Sequence, residues 1–365
     1  MSRDINFTAP LGNQHSIGLK GTLQSMALRL KDVVKGSLLR SPLPEMLLRK
    51  RASQSLTAVG YHRILPTPDI NFPFDAALIS ATPDEFEREL RYLRKNLDLL
   101  TIKDLLEGMK SPKELPERPA VLTFDDGYED NYRVAYPILK SLGLSACFFI
   151  STRIVGSSIV PWWDQVACCF KFSEVDSFPS PFGERDESFR CDALHRKNAA
   201  KRFLAKMKES PWPEALVYLE NLKCETKIDP SEFASSPLFL NWNQAREMQE
   251  GGMEFGGHTR THPVLGRISD ENLLQTEISG CFEDMTTELG VQPLAFSYPE
   301  GYEFAMSKMS DAQILGAGFK ISFSYIHKYA PRKPKSPFRL PRIHSEYGED
   351  FGAFRIGMAT APGFS

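Results

Sequence analysis

The sequence predicts an α/β fold in which parallel strands alternate with helices. Apolar runs at 120–122 and 145–150 flank a helical pattern at 131–142, and strand, helix and strand at this spacing form a unit whose strands lie parallel. The same alternation continues to the C-terminus, and polar residues follow several of the strands. These observations favour a barrel with its site on one rim, and an open doubly wound sheet is the alternative.

The composition is that of a soluble globular protein. The chain has 365 residues, of which 42% are apolar and 25% charged, and its formal net charge of −2 gives no electrostatic basis for binding nucleic acid. Its six cysteines form no Cys-x-x-Cys pair, which suits a reducing compartment and disfavours a cysteine zinc site. The sequence has neither a secretory signal pattern nor an apolar run of about 18 residues, so a cytoplasmic location is expected.

The first 52 residues are locally basic. They hold nine Lys and Arg side chains against three Asp and Glu side chains, and apolar residues recur at helical spacing within 26–34. Such a helix packs on its own domain or lies on an anionic membrane surface, which would make the protein membrane-associated. We therefore divide the chain into a basic helical N-terminal extension, 1–52, and a main domain, 53–365, whose alternation is interrupted by an insertion at about 156–238.

The remaining elements follow in order. A strand at 56–62 ends at His62, which we interpret as a structural or substrate-lining residue. Thr82 and Pro83 begin a helix whose apolar face runs to Leu97. Further helices are expected at 193–208, inside the insertion, and at 243–250, 269–289 and 311–315. Further strands are expected at 253–257, 294–297, 320–323 and 338–344.

Two adjacent carboxylates follow the strand that begins with the apolar run at 120–122. Successive side chains of an extended segment point to opposite faces, so Asp125 and Asp126 cannot do the same work from the same place. One could bind a metal ion while the other acts on water. The alternative is a strand that simply ends in an Asp-Gly turn at Gly127.

His258 and His262 form a second polar group at a strand end. On a helix this spacing would place both imidazoles on one face, but Pro263 and the glycines at 256–257 disfavour helical geometry here. A strand end and its loop therefore present both histidines, which can meet one ion together with a carboxylate from a neighbouring strand. Two imidazoles and one carboxylate leave positions open for water and substrate, as in a catalytic metal site.

Together with a third strand-end segment, Pro299-Glu300-Gly301, these motifs resemble those of the polysaccharide deacetylases with a NodB-homology domain, also named carbohydrate esterase family four. Thr123-Phe124-Asp125-Asp126-Gly127 is similar to the first motif of that family, and His258-Thr259-Arg260-Thr261-His262-Pro263 to the second. The resemblance extends from about residue 56 to the C-terminus. It implies a distorted (β/α) barrel of the NodB-homology type, here with a mainly helical insertion and an N-terminal helical extension.

The resemblance also implies roles for the site residues. One divalent ion would be held by Asp126, His258 and His262, with zinc as the first expectation and cobalt, nickel or manganese as alternatives. Asp125 would be the general base that takes a proton from water. The ion and backbone N–H groups near Glu300 would stabilise the oxyanion. The substrate-binding and oxyanion segment would comprise Tyr298, Pro299, Glu300 and Gly301.

Two features depart from the family pattern. The third motif of the family usually carries an Arg that orients the base, and Ser297 occupies that region here, so Arg342 is the candidate for orienting Asp125. The last motif of the family ends in Leu-x-His, whose histidine is the general acid. Arg342-Ile343-His344 fits this motif by position, so His344 is predicted to be the acid, and a structural histidine is the alternative.

The function implied is a metal-dependent hydrolase that removes an N-acetyl or other N-acyl group from an amino sugar. The substrate would be a surface polysaccharide or its lipid-linked precursor, and the N-terminal extension could supply a peripheral membrane contact. The alternatives are an O-acetyl esterase, a hydrolase of small amides, and a carbohydrate-binding relative without turnover. Three tryptophans of the insertion either stack on sugar rings or belong to the core: Trp162, Trp163 and Trp212.

Overall fold

A closed barrel of seven parallel strands forms the centre of the protein. The computed structural model describes residues 41–68, 71–111, 115–183, 187–234, 236–345 and 350–363. In chain order the barrel strands are β1 (Ser55–Tyr61), β2 (Pro119–Phe124), β3 (Cys147–Ile150), β4 (Glu254–Gly257), β5 (Ala295–Ser297), β6 (Ile321–His327) and β7 (Leu340–His344). Each strand pairs in parallel with the next, and β7 returns to pair with β1. The predicted barrel is confirmed, and the open sheet is excluded.

Helices cover the outside of the barrel. In chain order they are α1 (Leu43–Ala52), α2 (Pro83–Asn96), α3 (Ile102–Lys110), α4 (Tyr136–Ser141), α5 (Trp162–Phe172), α6 (Arg196–Glu209), α7 (Trp212–Thr226), α8 (Trp242–Glu250), α9 (Glu271–Leu289), α10 (Lys308–Ala317) and α11 (Phe351–Thr360). A π-helical turn at Asn131–Ala135 leads into α4, so the helix predicted at 131–142 has two geometries. The sequence did not predict α11, which packs against α1 and α2.

Short elements complete the structure. Asp98–Leu99 extends the sheet beside β2, and Ala330–Pro331 pairs antiparallel with β1. Two further pairs stand apart from the barrel, one parallel and one antiparallel: Arg63–Ile64 with Ile79–Ala81, and Ser177–Pro179 with Ser188–Arg190. Single 3-10 turns occur at Ala76–Leu78, Pro230–Phe233, Leu265–Arg267 and Glu303–Ala305.

The barrel strands are buried on both faces, which explains their continuous apolar sequences. Neighbouring side chains of a strand belong to different clusters: Val121 packs with Phe149 and Phe323, whereas Leu122 packs with Phe148 and with residues of the surrounding helices. This alternation places Val121 on the inner face of β2. Every second residue of β2 follows it inward, so the inner series ends at the carboxyl end of the strand beside the functional residues.

The segment between β3 and β4 contains α5, α6, α7 and the small hairpin, in agreement with a mainly helical insertion. Its aromatic core is continuous with the outer face of the barrel, because Phe170 and Phe203 belong to the same buried cluster as Phe296 of β5. The three tryptophans of this segment are each 5% exposed and belong to that cluster, which confirms the core alternative for them: Trp162, Trp163 and Trp212.

The N-terminal extension is described in part. Residues 1–40 of the predicted extension lie outside the described residues, and the rest contains α1, with Leu48 and Ala52 buried against the domain. The division of the chain at residue 52 stays a prediction. Among the helices that the structure describes, none combines the length and the hydrophobicity that crossing a bilayer demands.

Candidate active site

The polar residues predicted from the sequence lie at the carboxyl ends of the barrel strands. Asp125 and Asp126 follow β2, and His258 and His262 follow β4. The carboxyl ends of parallel strands meet at one rim, where barrels of this type form their sites. The backbone leaves the extended conformation at Asp126, with a φ of 73°, and at Gly127, with a φ of 78°. The extended backbone that continues from β2 therefore ends between the two carboxylates, which occupy different places at the rim.

Asp126, His258 and His262 form a buried group with the composition of a metal site. The Nε2 atoms of His258 and His262 lie 3.5 and 3.4 Å from Oδ1 of Asp126, and the potential ligand atoms lie within 4.8 Å of one another. Nδ1 of His258 lies 2.7 Å from the carbonyl oxygen of Ser297, which keeps the proton on Nδ1 and directs the Nε2 lone pair to the site. Two imidazoles and one carboxylate fit a divalent ion such as zinc.

The loop that carries His262 is held by Glu277, which the sequence did not single out, and by Trp162, for which it offered only stacking or a place in the core. Glu277 on α9 accepts hydrogen bonds from the backbone N–H groups of Arg260 and Thr261 at 3.0 and 2.9 Å. Trp162 donates its indole N–H to the carbonyl oxygen of His262 at 3.0 Å. These bonds stabilise a loop in which His262 has a left-handed backbone, with a φ of 62°. The sequence did contain a signal for Glu277, because this carboxylate lies at a core position of an amphipathic helix.

Asp125 is held by Arg342, the candidate that the sequence put forward for this contact. Nη1 and Nη2 of Arg342 lie 2.8 and 2.6 Å from the two carboxylate oxygens of Asp125. The guanidinium also donates to Oγ1 of Thr123 at 3.1 Å, to Oγ of Ser297 at 2.9 Å and to the carbonyl of Ser324 at 2.9 Å. These bonds use all five N–H donors of a fully buried side chain. An arginine from β7 thus contacts both the base and the serine that departs from the family pattern.

In each of the two aspartates, burial raises the pKa and the neighbouring partners lower it. Burial alone would raise the pKa of Asp125, but the charges of Arg342 and His258 outweigh it and lower this pKa. Burial also opposes the charged form of Asp126, and its hydrogen bonds with His258 and His262 lower the pKa of this carboxyl group. Both carboxylates are therefore ionised at neutral pH, as a metal ligand and a general base require.

The side chains of the segment 298–301, which follows β5, lie partly in the core and partly in the cleft. Tyr298 is buried and donates its hydroxyl to Asp311, so the structure does not bring this predicted substrate-binding side chain to the cleft. The side chain of Glu300 does line the cleft, and its Oε2 lies 2.7 Å from Nζ of Lys208 on α6. A salt bridge thus joins the third motif to the insertion.

The backbone of the same segment narrows the choice of an oxyanion donor. The amide of Tyr298 donates to the carbonyl of Phe323 at 3.1 Å, and that of Gly301 donates to the carbonyl of Pro299 at 2.7 Å. Pro299 itself has no N–H. The amide of Glu300 donates to no backbone carbonyl within the part of the chain that the structure describes. Of the four residues predicted for this role, Glu300 is therefore the one whose N–H can serve.

Two histidines that line the cleft are candidates for the proton donor. Nε2 of His62, at the end of β1, lies 4.0 Å from Oδ2 of Asp125, and both His62 and His344 line the cleft. The ring of Tyr325 stacks on His344, with ring centroids 4.2 Å apart. Burial, followed by the neighbouring His327 and His62, lowers the pKa of His344 to about 3, so His344 is neutral at pH 7. His62 is therefore a second candidate for the proton donor, besides the predicted His344.

These groups open into one cleft of about 1290 Å³. This volume exceeds the ~300–1,000 Å³ that is typical for the binding site of one small molecule. Tyr302 and Phe304 line the cleft with 44% and 36% of their surface exposed. Another part of the wall is formed by α6. Exposed aromatic rings in this cleft suit stacking against sugars. Of the three tryptophans for which stacking was one alternative, Trp163 also lines the cleft, although it is only 5% exposed.

Fold and site define a (β/α)-barrel protein with a metal-type donor set beside a carboxylate held by an arginine. A family model described as Polysaccharide deacetylase matches residues 112–317, more than half of the chain. The chain belongs to the polysaccharide deacetylase family, as its motifs predicted.

Solved structures of deacetylases share the fold. The Streptococcus pyogenes deacetylase PplD in complex with acetate superimposes with a TM-score of 0.55 at 17% identity, covering 83% of this chain and 98% of PplD. IcaB from Ammonifex degensii superimposes with a TM-score of 0.53 at 19% identity, covering 84% of this chain and 98% of IcaB. At such identities the likeness shows the fold alone.

Curated sequences match shorter stretches. The poly-beta-1,6-N-acetyl-D-glucosamine N-deacetylase of Staphylococcus aureus strain MSSA476 is 32% identical over 115 residues, which are 29% of this chain and 39% of that protein. The chain spans between 26% and 39% of the length of the first curated relatives that it matches.

Proposed function

We propose that this protein is a metal-dependent hydrolase that removes an N-acyl group, acetyl in the first place, from an amino sugar of a polysaccharide. The observation that carries the proposal is the convergence of Asp126, His258 and His262 at a rim where Asp125 lies beside them, held by Arg342. Membership of the polysaccharide deacetylase family supports the reaction class. The acetate bound to PplD is the expected second product of such a reaction.

The donor set accounts for the activation of water. Asp126, His258 and His262 would hold a divalent ion, with zinc as the first candidate, and such an ion supplies Lewis-acid chemistry that makes water a nucleophile near neutral pH. The carboxylate of Asp125 accepts the proton of the attacking water. Arg342 fixes both oxygens of this carboxylate, so one lone pair of the base keeps a defined direction.

The later steps use the surrounding groups. The amide N–H of Glu300 donates to the oxyanion that develops on the acyl carbon. A proton must then reach the departing amine, because an amide anion is a poor leaving group. His62 and His344 both line the cleft and compete for this role, and His62 is the one within 4.0 Å of Asp125. Donation from His62 would return to the amine the proton that Asp125 has taken.

The identity of the substrate is a separate part of the proposal. The name of the Staphylococcus aureus relative supports poly-N-acetylglucosamine and similar glycans as the first substrates to test. A cleft of about 1290 Å³ supports a substrate of several sugars. A lipid-linked precursor as the substrate, a cytoplasmic location and a membrane contact through the N-terminal extension are proposals that rest on the sequence.

Turnover is favoured over carbohydrate binding without chemistry. The binding-only alternative rested on the missing arginine of the third motif, and Arg342 makes the contact for which that arginine is expected. Both aspartates and both histidines are in place as well. A protein that merely bound sugars would have no need to bury an ionised carboxylate and a guanidinium at the rim, since burying charges is costly.

The test is the release of acetate from N-acetylated oligosaccharides by the purified protein, after removal of metal and reconstitution with zinc or cobalt. Asp125→Asn should lower kcat by about 10²- to 10⁴-fold, because it removes the general base while keeping the size of the side chain. The variant leaves the buried charge of Arg342 unpaired, so circular dichroism must show that it is folded before its activity is compared. Asp84→Asn, an exposed carboxylate in the first turn of α2, is the matched control and should have no effect.

The proposal fails if the reconstituted protein releases no acyl group from any N-acylated glycan while it remains folded. Equal activity of the Asp125→Asn variant and the parent would contradict the role of the base. Release of acetate from O-acetylated sugars alone would favour the esterase alternative.

A further inference from the structure

One wall of the cleft is a single face of α6. Its lining residues recur in adjacent pairs four residues apart, which is the spacing of neighbours along one side of a helix. They are Arg196, Lys197, Ala200, Lys201, Leu204, Ala205, Lys208 and Glu209. Four of these eight side chains are cationic, so the insertion presents a basic surface to the cleft that also contains the metal-type donor set.

The cations of α6 that face the hairpin and those that line the cleft differ in whether they form ion pairs. Arg202 and Lys206 do not line the cleft, and each pairs with Glu187, at 3.1 and 3.4 Å. Lys197 and Lys201 line the cleft and are exposed, and among the described residues no carboxylate lies within salt-bridge distance of either. Among the described residues, the cations of α6 that face the hairpin and Lys208 near the end of the helix each pair with a carboxylate, whereas Lys197 and Lys201 in the cleft do not.

A purely structural explanation accounts poorly for this arrangement. Lys201 follows Lys197 by four positions, and like charges at this spacing destabilise a helix. Arg196 donates to the carbonyl of Lys171 at 2.6 Å, which is a neutral acceptor, and no carboxylate of the described ranges forms an ion pair with this guanidinium. Three positive charges thus lie together at the start of α6, and an anion in the cleft would compensate for their repulsion.

Carboxylates of the cleft lie near the C-terminal end of α6, opposite the lysines at the start of this helix. Glu300 pairs with Lys208, and Asp75 lines the same cleft. Burial opposes the charged form of Lys208, but Glu300 and then Asp75 outweigh it and raise the pKa of this lysine. Glu209 is the next residue after Lys208. The polarity of the cleft therefore changes along α6, from acidic groups near the metal-type site to basic groups at the start of the helix.

The length of the helix sets the distance between these two ends. Lys208 is anchored to Glu300 at the rim of the barrel. Lys201 and Lys197 precede it by seven and eleven residues, which correspond to about 10 and 16 Å along the axis of α6 at a rise of ~1.5 Å per residue. The basic end is therefore farther from the reaction centre than one sugar ring can reach.

We infer that Arg196, Lys197 and Lys201 form a subsite for a carboxylate or phosphate group on the glycan, outside the sugar that is deacetylated. The inference rests on the proposed function, because it concerns the substrate of the same site. The preferred substrate is then an anionic glycan rather than neutral poly-N-acetylglucosamine. The anion is either the carboxylate of an acidic sugar or a phosphate ester, including the phosphate of a lipid-linked precursor.

The experiment compares three N-acetylglucosamine oligomers of equal length on the metal-reconstituted full chain. One is neutral, one carries a terminal uronic acid and one carries a terminal phosphate ester. Acetate release gives kcat/KM for each, and calorimetry gives the Kd of each for the metal-free protein. Lys197→Gln/Lys201→Gln is the test variant. Arg202→Gln/Lys206→Gln changes the charge of the same helix by the same amount, on the side that pairs with Glu187, and is the matched control.

The parent should prefer at least one anionic oligomer over the neutral one by about tenfold, in both kcat/KM and Kd, and the preference should decrease as salt rises. The test variant should lose this preference, and the control should keep it. Preference for the phosphate or for the uronic acid identifies the source of the anion. Equal Kd values for all three oligomers in the parent, or an unchanged preference in the test variant, would overturn the inference.

The two readouts separate this inference from the proposed function. If no oligomer is deacetylated, the proposed function fails, and the Kd values still decide whether the subsite exists. If the neutral oligomer is deacetylated as well as the anionic ones and binds as tightly, the proposed function stands and the subsite is refuted.

Discussion

Replacing Arg342 by methionine would test the pair at the centre of the site. Methionine keeps an unbranched apolar stem but removes all five N–H donors of the guanidinium. Asp125, which is 3% exposed, would then be a buried carboxylate without its cation. Breaking a buried ion pair by removing one partner costs about 3–5 kcal/mol of the free energy of unfolding. We expect a loss of this size.

The loss should depend on pH with a definite sign. In the parent the pKa of Asp125 is lower in the folded state than in the unfolded state, so its charged form stabilises the fold above the unfolded pKa, and this contribution is lost as the pH falls through the folded pKa. In the variant burial acts without Arg342 and raises the pKa of Asp125, so protonation relieves the buried charge. The difference in free energy between parent and variant should therefore be largest near pH 7 and smaller near pH 4.

Urea unfolding of the metal-free protein at several pH values, followed by circular dichroism, measures both effects. Arg91→Met is the control, because Arg91 pairs with Glu87 at 2.6 Å on an exposed face of α2 and should contribute no more than about 0.5 kcal/mol. Catalysis adds a second readout: misplacement of the base should lower kcat by about 100-fold. Unfolding free energies equal to those of the parent, or a difference that stays constant with pH, would refute the assignment of Arg342 as the partner that keeps Asp125 ionised.

The metal site, the proton donor and the aromatic wall give three further predictions. Replacing His258 and His262 together by alanine should reduce bound zinc, measured by mass spectrometry after reconstitution, from about one ion per chain to none; retention of the ion would contradict the site. His62→Gln should lower kcat by about 100-fold, because His62 lies 4.0 Å from Asp125 and lines the cleft, whereas His344→Gln should keep most of the activity; the opposite result would return the role to His344. Tyr302→Ala should raise KM by about fivefold, or about 1 kcal/mol, through loss of stacking, and an unchanged KM would exclude Tyr302 from substrate binding.

The sequence predicted the parts of the site that depend on local rules. Asp125 and Asp126 follow an apolar strand, and His258 and His262 follow another, so a strand end could be assigned to each without knowledge of the fold. The alternation of strands and helices predicted parallel strands, whose carboxyl ends share one side. Convergence of these four residues therefore followed from elements that are each recognisable over a dozen residues.

Local sequence rules could not predict the contacts between segments that are distant in the chain. Arg342 and Asp125 are 217 residues apart in the chain, and they meet because β7 closes the barrel against β1 beside β2. The sequence could name Arg342 as a candidate, but strand alternation tells which face a residue occupies and not which inward residues become neighbours. The same limit applies to Glu277, which holds the histidine loop from α9.

The cleft was decided by the tertiary structure for a related reason. Nothing in the spacing of Lys197 and Lys201 shows that α6 lines the same cavity as Asp126, because the packing of an insertion depends on long-range burial of its aromatic core. Long-range packing also decides that Tyr302 is exposed and Trp162 is buried. The sequence alone does not distinguish them, because both are aromatic residues that could line a cleft or fill a core. Local sequence patterns specify the chemistry at each strand end, whereas barrel closure and side-chain packing specify which groups surround that chemistry.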